Sequence, residues 1–251
     1  MVPRENETQL SVVIPAFNVG EVVVPTLEDL KCVLNSVNQC SEIIVVEDGS
    51  KDDTYRRLVF CQERIGMRIL RNARNMGKGF SIKRGIESAG GRWTVVMDAD
   101  GDIDPSLLKG YLDALSHADI VIASKRLPQS TYEAPLIRKL LSFCFHWLVI
   151  LLTGIRVTDS QTGFKAFRTL EAKKIMKVVV AKRYAFDVEV LAVANLLGLK
   201  VVELPVEVRL KRLFSIRDAM SMMKDLLGIT YRLRVTRWYQ DRLRKKEMDR
   251  Q

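Results

Sequence analysis

Four aspartates alternate in Asp98-Ala99-Asp100-Gly101-Asp102-Ile103-Asp104. Carboxylates this close repel one another unless a cation is bound among them. Their hard oxygens suit Mg²⁺ or Mn²⁺, ions that also bridge phosphate oxygens. The plainer reading is a solvated acidic turn with Asp104 as N-cap ahead of Pro105. An EF-hand loop is excluded, because the places it needs for Gly and Glu hold Ile103 and Lys109. A phosphatase-type aspartyl nucleophile would follow the first strand, whereas this cluster follows the fourth. Two basic segments add to the inventory. In Asn75-Met76-Gly77-Lys78-Gly79, two glycines permit close backbone approach, the following helix start offers N–H groups, and Lys78 supplies a cation. It is not a Walker A loop, and an ordinary turn has the same composition. Arg126, in Ser124-Lys125-Arg126, has the fork geometry to neutralise a diphosphate, though a surface arginine is the plainer reading.

These residues need a frame, and the apolar runs between them supply it. Residues 10–17, 42–46, 67–70, 93–97 and 119–123 read as buried strands. Residues 20–38, a stretch opening at Asp52/Asp53, residues 78–88 and 104–116 read as helices. Strands alternating with helices predict an α/β fold, a mostly parallel sheet with helices on both faces. Ligands of such sheets lie beyond the carboxyl ends of the strands. Pro15–Asn18, Glu47–Ser50, Asp98–Asp102 and Ser124–Arg126 all sit at strand ends and should converge there.

The chain is 251 residues, 47% hydrophobic and 28% charged, which excludes a disordered or disulfide-scaffold protein. The net charge of +10 points to an anionic partner. Its distribution is uneven: residues 209–251 hold 13 Lys/Arg against 5 Asp/Glu. Four unpaired-looking cysteines and two histidines argue against zinc and for reduced thiols. No signal peptide is expected at the N-terminus. The apolar stretch Leu140–Ile155 is too short to span a bilayer and predicts a buried helix or one lying in a membrane interface. In the tail, Ile216, Met220, Met223, Leu227, Thr230 and Leu233 form one helical stripe among basic residues, the pattern of a helix on an anionic lipid surface.

In sequence order, VVIPAFN, VVEDGSKDDT, RNxGKGxSxxxG from Arg74 to Gly85, and MDADGD resemble the motifs of family 2 glycosyltransferases over residues 10–126. Asp159–Lys165 (DSQTGFK) and Tyr184–Glu189 (YAFDVE) resemble segments of the dolichyl- and polyprenyl-phosphate sugar transferases, nearest the dolichyl-phosphate glucosyltransferase branch. Glu47 replaces the first Asp of the second motif, Val19-Gly20 intervene before Glu21, and Phe214-Ser215-Ile216 stands where a G-S-K is usual.

The resemblance implies a Rossmann-like GT-A fold over residues 1–208, with a donor half at about 10–126 and an acceptor half at about 127–208. Residues 209–251 would form a basic amphipathic helical segment. It implies inverting transfer of glucose or mannose from a nucleoside-diphosphate sugar to a dolichyl or polyprenyl phosphate. Asp98, Asp100, Arg126 and Asp187 are the implied catalytic residues. Asp100 and Asp102 would hold Mg²⁺ or Mn²⁺. Pro15, Ala16, Phe17, Glu21, Val46, Glu47, Asp48, Lys78, Ala99 and Arg126 would surround the nucleotide sugar, with Asp48 at the base and Asp98 at the ribose or the metal. Arg138, Arg209, Lys211 and Arg212 would receive the acceptor phosphate. The expected location is the cytoplasmic face of a membrane, bound peripherally. Alternatives are a glycan or protein acceptor, a sugar nucleotidyltransferase, or a nucleic-acid-binding module. PAFNVGE lacks the basic Gly-rich loop of a nucleotidyltransferase, and DADGD would repel nucleic acid.

Overall fold

Strand β1 (Leu10–Ala16) shows how the sheet is buried on both faces. Leu10, Val12, Ile14 and Ala16 enter one hydrophobic cluster, while Val13 enters another. Strand β2 (Ser41–Glu47) divides the same way, Ile43 and Val45 against Ile44 and Val46. This period-two division places one packed core on each side of the sheet. The computed structural model describes residues 8–37, 39–133, 135–183, 185–209 and 216–248.

The first half follows the sequence pattern. After β1 come α1 (Val23–Val37), β2, α2 (Thr54–Ile65), β3 (Met67–Arg71), α3 (Lys78–Ser88), β4 (Trp93–Val96), α4 (Leu108–Leu115) and β5 (Ile120–Ser124). Asp104 caps the short 3₁₀ turn Pro105–Leu107 that leads into α4, its side chain accepting from Ser106 N. Asp52 and Asp53 precede α2 rather than lying in its first turn; Asp52 Oδ1 accepts from Thr54 N.

The second half adds β6 (Thr131–Glu133), α5 (Leu136–Thr153), β7 (Lys165–Arg168), α6 (Thr169–Met176), α7 (Phe186–Leu196), β8 (Val201–Pro205), β9 (Glu207–Arg209), α8 (Ile216–Thr230), a π-helical turn at Tyr231–Val235, and α9 (Trp238–Met248). The seven-stranded sheet runs β3-β2-β1-β4-β7-β5-β8. Only β7 is antiparallel to its neighbours there, inserted between β4 and β5. β6 and β9 form a separate parallel pair.

The C-terminal segment packs onto the sheet. Leu226, Ile229, Leu233 and Tyr239 belong to the same cluster as Val13 and Ile44. The tail stripe is therefore split. Leu233 is buried, whereas Met220, Met223 and Leu227 are exposed. Helix α5 is two-faced in the same way. Val149 is buried with Phe145, Leu148 and Leu152 packed beside it, while Leu136, Leu140, Phe143, Trp147 and Leu151 face outward. Arg234 Nη2 donates to the carbonyl of Leu151 at 2.9 Å, tying the two helical regions together. Among the described residues, no helix is long and apolar enough to cross a membrane.

Candidate active site

The strand ends meet as the parallel topology requires. Ala16 pairs in register with Glu47, and Asp48 N donates to Ala16 O at 2.9 Å. The antiparallel β7 brings a distant segment to the same edge, where Ala123 N donates to Phe164 O. A Cβ on Gly163 would stand 2.0 Å from Asp98 Oδ2, so only glycine admits this approach.

At the centre, two lysines and two aspartates alternate. Lys78 Nζ lies 2.6 Å from Asp98 Oδ1 and donates to Oδ2 at 2.7 Å; Oδ1 has no hydrogen-bond partner. Lys165 Nζ lies 2.9 Å from Asp187 Oδ1 and donates to Thr162 O. Burial alone would lower the Lys78 ammonium, but Asp98, Asp187 and Asp100 outweigh it and hold Lys78 above the ordinary lysine range. Burial raises the Asp98 carboxyl, Lys78 pulls it down, and the nearby Asp100 and Asp187 leave it raised overall. The cluster thus pairs each of the two aspartates with a lysine, and Asp98 Oδ1 is buried against the Lys78 ammonium.

The aspartate turn fits a divalent cation completed by a ligand. Asp102 N donates to Asp100 Oδ1 at 3.2 Å, and Gly101 takes the left-handed conformation, φ +71°, that turns the chain between them. Among the described residues no three His, Cys, Asp or Glu side chains gather into a metal-holding group. Mg²⁺ commonly takes one or two carboxylates and completes its shell with substrate phosphates and water, which matches this donor set.

Several expected contacts are committed elsewhere. Met76 N and Gly77 N donate to Asp48, which also accepts from Asn72 Nδ2. Asp48 is 2% exposed, and its oxygens hold the Gly-Lys-Gly turn rather than pointing to a base. Glu47 is fully buried, accepting from Ser50 N and pairing with Arg71. The side chains of Val46 and Ala99 are buried in the cores, so only their backbone is available to a ligand. Pro15 is half-buried; Phe17 and Glu21 are exposed. The N–H groups at the start of α3 are also used, because Gly79 N and Phe80 N donate to Lys182 O. Close approach at Gly77, φ +99°, serves the same carbonyl, which a Cβ there would meet at 2.3 Å. The glycines thus seat a chain segment where the sequence suggested a phosphate. Arg126 Nη2 donates to Ser142 O and Oγ, tying the β5 end to α5. Arg138 lies within α5 and Arg209 ends β9. Lys211 and Arg212 lie outside the described residues.

Two participants escaped the sequence reading. Lys165 ends the DSQTGFK segment with no signal of its own, yet it is the partner of Asp187. Lys125 donates through Nζ at 2.8 Å and through its backbone N to Asp159, which also accepts from Thr162 Oγ1 and Gln161 N. Burial alone raises the Asp159 carboxyl, but Lys125 and these hydrogen bonds prevail and hold it below its ordinary value. A carboxyl depressed in the folded state stabilises the fold above its unfolded pKa, and that stabilisation is lost as pH falls through the folded value. Asp159→Asn should therefore melt below the wild type near neutral pH, the gap closing below about pH 4. Thermal unfolding across that range checks this; a gap independent of pH would show that Asp159 is not an ionised partner.

Comparison with known proteins places the fold and the family. Residues 11–169 match the family described as "Glycosyl transferase family 2". A dolichyl-phosphate beta-glucosyltransferase of Dictyostelium discoideum is 30% identical over 91% of this chain and 76% of its own length. The Homo sapiens protein of the same description is 31% identical over 94% of this chain and 79% of its own. Among solved structures, glucosyl-3-phosphoglycerate synthase from Mycobacterium tuberculosis with UDP superposes at TM-score 0.68, with 19% identity, covering 90% of this chain and 79% of that one. The same enzyme with Mn²⁺, UDP and its product superposes at TM-score 0.67, again at 19% identity and over 90% of this chain and 79% of that one. The architecture is the GT-A fold, and the chain belongs to glycosyltransferase family 2, a glycosyltransferase with its charged cluster at the carboxyl edge of a mostly parallel sheet.

Proposed function

We propose that this protein transfers glucose from UDP-glucose to dolichyl phosphate or a related polyprenyl phosphate at a membrane surface, inverting the anomeric carbon. The observation that carries this reading is the similarity to dolichyl-phosphate beta-glucosyltransferases across 91% of the chain. An oxygen of the lipid phosphate attacks the anomeric carbon as the bond from that carbon to the diphosphate breaks, and UDP departs. The acceptor is already anionic near neutral pH, so it needs orientation more than a base. Lys78 fixes the Asp98 carboxylate at the strand edge where the donor would lie. Lys165 holds Asp187 in position beside the sugar. Arg126 offers positive charge at the β5 end. A divalent cation, when bound by Asp100 and Asp102, would offset charge growing on the departing diphosphate.

The exposed apolar faces support a lipid acceptor over a soluble one. Leu136 is 84% exposed, Leu151 69% and Leu227 54%. Outward apolar rows of this kind mark interaction surfaces, and two helices lying in the bilayer interface would cover them. Each such side chain would contribute about 1 kcal/mol on transfer, roughly half the value of full burial.

The test is incubation of the full chain and Mn²⁺ with UDP-[¹⁴C]glucose or GDP-[¹⁴C]mannose. Polyprenyl phosphate in vesicles is offered as one acceptor and 3-phosphoglycerate as the other. Label from UDP-glucose should enter the organic-extractable lipid. Label that reaches only the soluble acceptor would overturn the reading.

A further inference from the structure

Helix α8 borders a second feature that shares no residue with the Lys78–Asp98–Asp187 cluster. Between α8 and the loop 180–183 the surface opens into a groove of about 510 Å³. Lys182 and Arg183 line it from the loop, Lys224 and Asp225 from the helix, and Arg232 from the π turn. Ser221 and Gly228 keep its wall low; beside Gly228 an added Cβ would meet only the Arg232 guanidinium, at 3.5 Å and beyond.

The charge balance favours an anion. Arg232 is partnered, with Nη2 3.3 Å from Glu189 Oε1 and Nε donating to Tyr239 Oη at 2.9 Å. With that pair set aside, Lys182, Arg183 and Lys224 face the single carboxylate of Asp225. Burial pushes the Asp225 carboxyl up against the pull of Arg183 and Arg232. Lys182, Arg183 and Lys224 are exposed, free to close on a ligand.

The neighbouring surface says what kind of anion. Met220, Met223 and Leu227 of α8 and Tyr231 at the start of the π turn are exposed at steps of three and four, one helical row beside Lys224 and Gly228. A molecule with an anionic head and an apolar tail would meet complementary chemistry along both rows. We propose that this groove binds the phosphoryl group of a lipid headgroup, with the acyl or prenyl chain against the exposed row of α8. Arginine supplies paired donors to phosphoryl oxygens and lysine supplies point charge. The site has a route to the active centre, because the carbonyl of Lys182 holds Gly79 N and Phe80 N directly after Lys78. The proposal rests on the membrane reading above but not on the identity of the sugar.

The experiment compares the full chain with Lys182→Ala/Lys224→Ala and with a charge-matched control, Lys109→Ala/Lys200→Ala, at two exposed lysines elsewhere. Co-sedimentation is measured with three vesicles: phosphatidylcholine alone, phosphatidylcholine with phosphatidylglycerol, and phosphatidylcholine with polyprenyl phosphate. The groove variant should lose roughly thirtyfold of the affinity gained from an anionic lipid, at about 1 kcal/mol per lysine. The control should lose under about threefold, and binding to phosphatidylcholine alone should not change. Loss with both anionic vesicles supports a general headgroup site. Loss confined to polyprenyl phosphate supports the same site as a seat for the acceptor. Equal losses in the groove and control variants overturn the proposal. So does inorganic phosphate binding that needs Lys182 and Lys224 while vesicle binding does not. Sugar transfer to detergent-dispersed acceptor is followed in parallel. Its absence in the wild type would count against the proposed function and leave the groove result standing.

Discussion

Asp100→Asn should reduce sugar transfer by at least about a hundredfold while the protein folds as before. The substitution keeps an oxygen where Asp102 N donates to Asp100 Oδ1. It removes one of the charges that push the Asp98 carboxyl up, a relief that offsets the lost attraction to Lys78. What disappears is an anionic oxygen for the cation and the diphosphate. Radiolabelled transfer and thermal unfolding, measured on the same preparation, separate the two effects. Metal-dependent transfer at the wild-type rate would remove Asp100 from the site.

Glu189→Ala should be the most damaging single change to stability, at about 3–5 kcal/mol. Glu189 is fully buried in α7. Its Oε2 accepts from Val180 N at 2.9 Å and from Ala181 N at 2.6 Å. Its Oε1 accepts from the Tyr239 hydroxyl and pairs with Arg232. Truncation would orphan two backbone N–H groups and the buried Tyr239 hydroxyl and remove the carboxylate paired with Arg232. The unfolding midpoint should fall by roughly 10 °C. Glu189→Gln, which retains an acceptor but not the charge, should fall in between. A midpoint equal to that of the wild type would show that the C-terminal helices are held by apolar packing alone.

The donor half was legible because its signals are local. The runs at 10–17 and 42–46 are β-branched and alternate between two cores, and Asp104-Pro105 carries its cap in adjacent residues. The four-residue β7 gave no comparable signal, since Lys165 breaks its apolar run and its pairing partners lie far away in the chain. In the sequence Asp187 and Glu189 are alternate acids of one motif, of which the resemblance assigns a catalytic role to Asp187 alone. On a helix, positions two apart point about 200° apart. One therefore faces the charged cluster while the other enters the core to meet Arg232 and Tyr239, 43 and 50 residues on. The roles expected of Asp48 and of the Gly-Lys-Gly turn shifted for a related reason. Motif spacing marks where backbone must approach closely, and here another loop of the same chain makes that approach.

The antiparallel insertion of β7 has a consequence for synthesis on the ribosome. Strands β1 to β3 pair with their neighbours in sequence, and β4 closes on β1 once residues 93–96 emerge. The far edge of β4 must then wait for residues 165–168, with β5 already made and without its neighbour. Until that strand arrives, the nascent sheet carries an open, apolar edge, the kind of surface that other chains add to. Long-range closure of this sort slows folding. The residues that place Gly163 against Asp98 and Lys165 against Asp187 are thus the same ones that seal the growing sheet against aggregation.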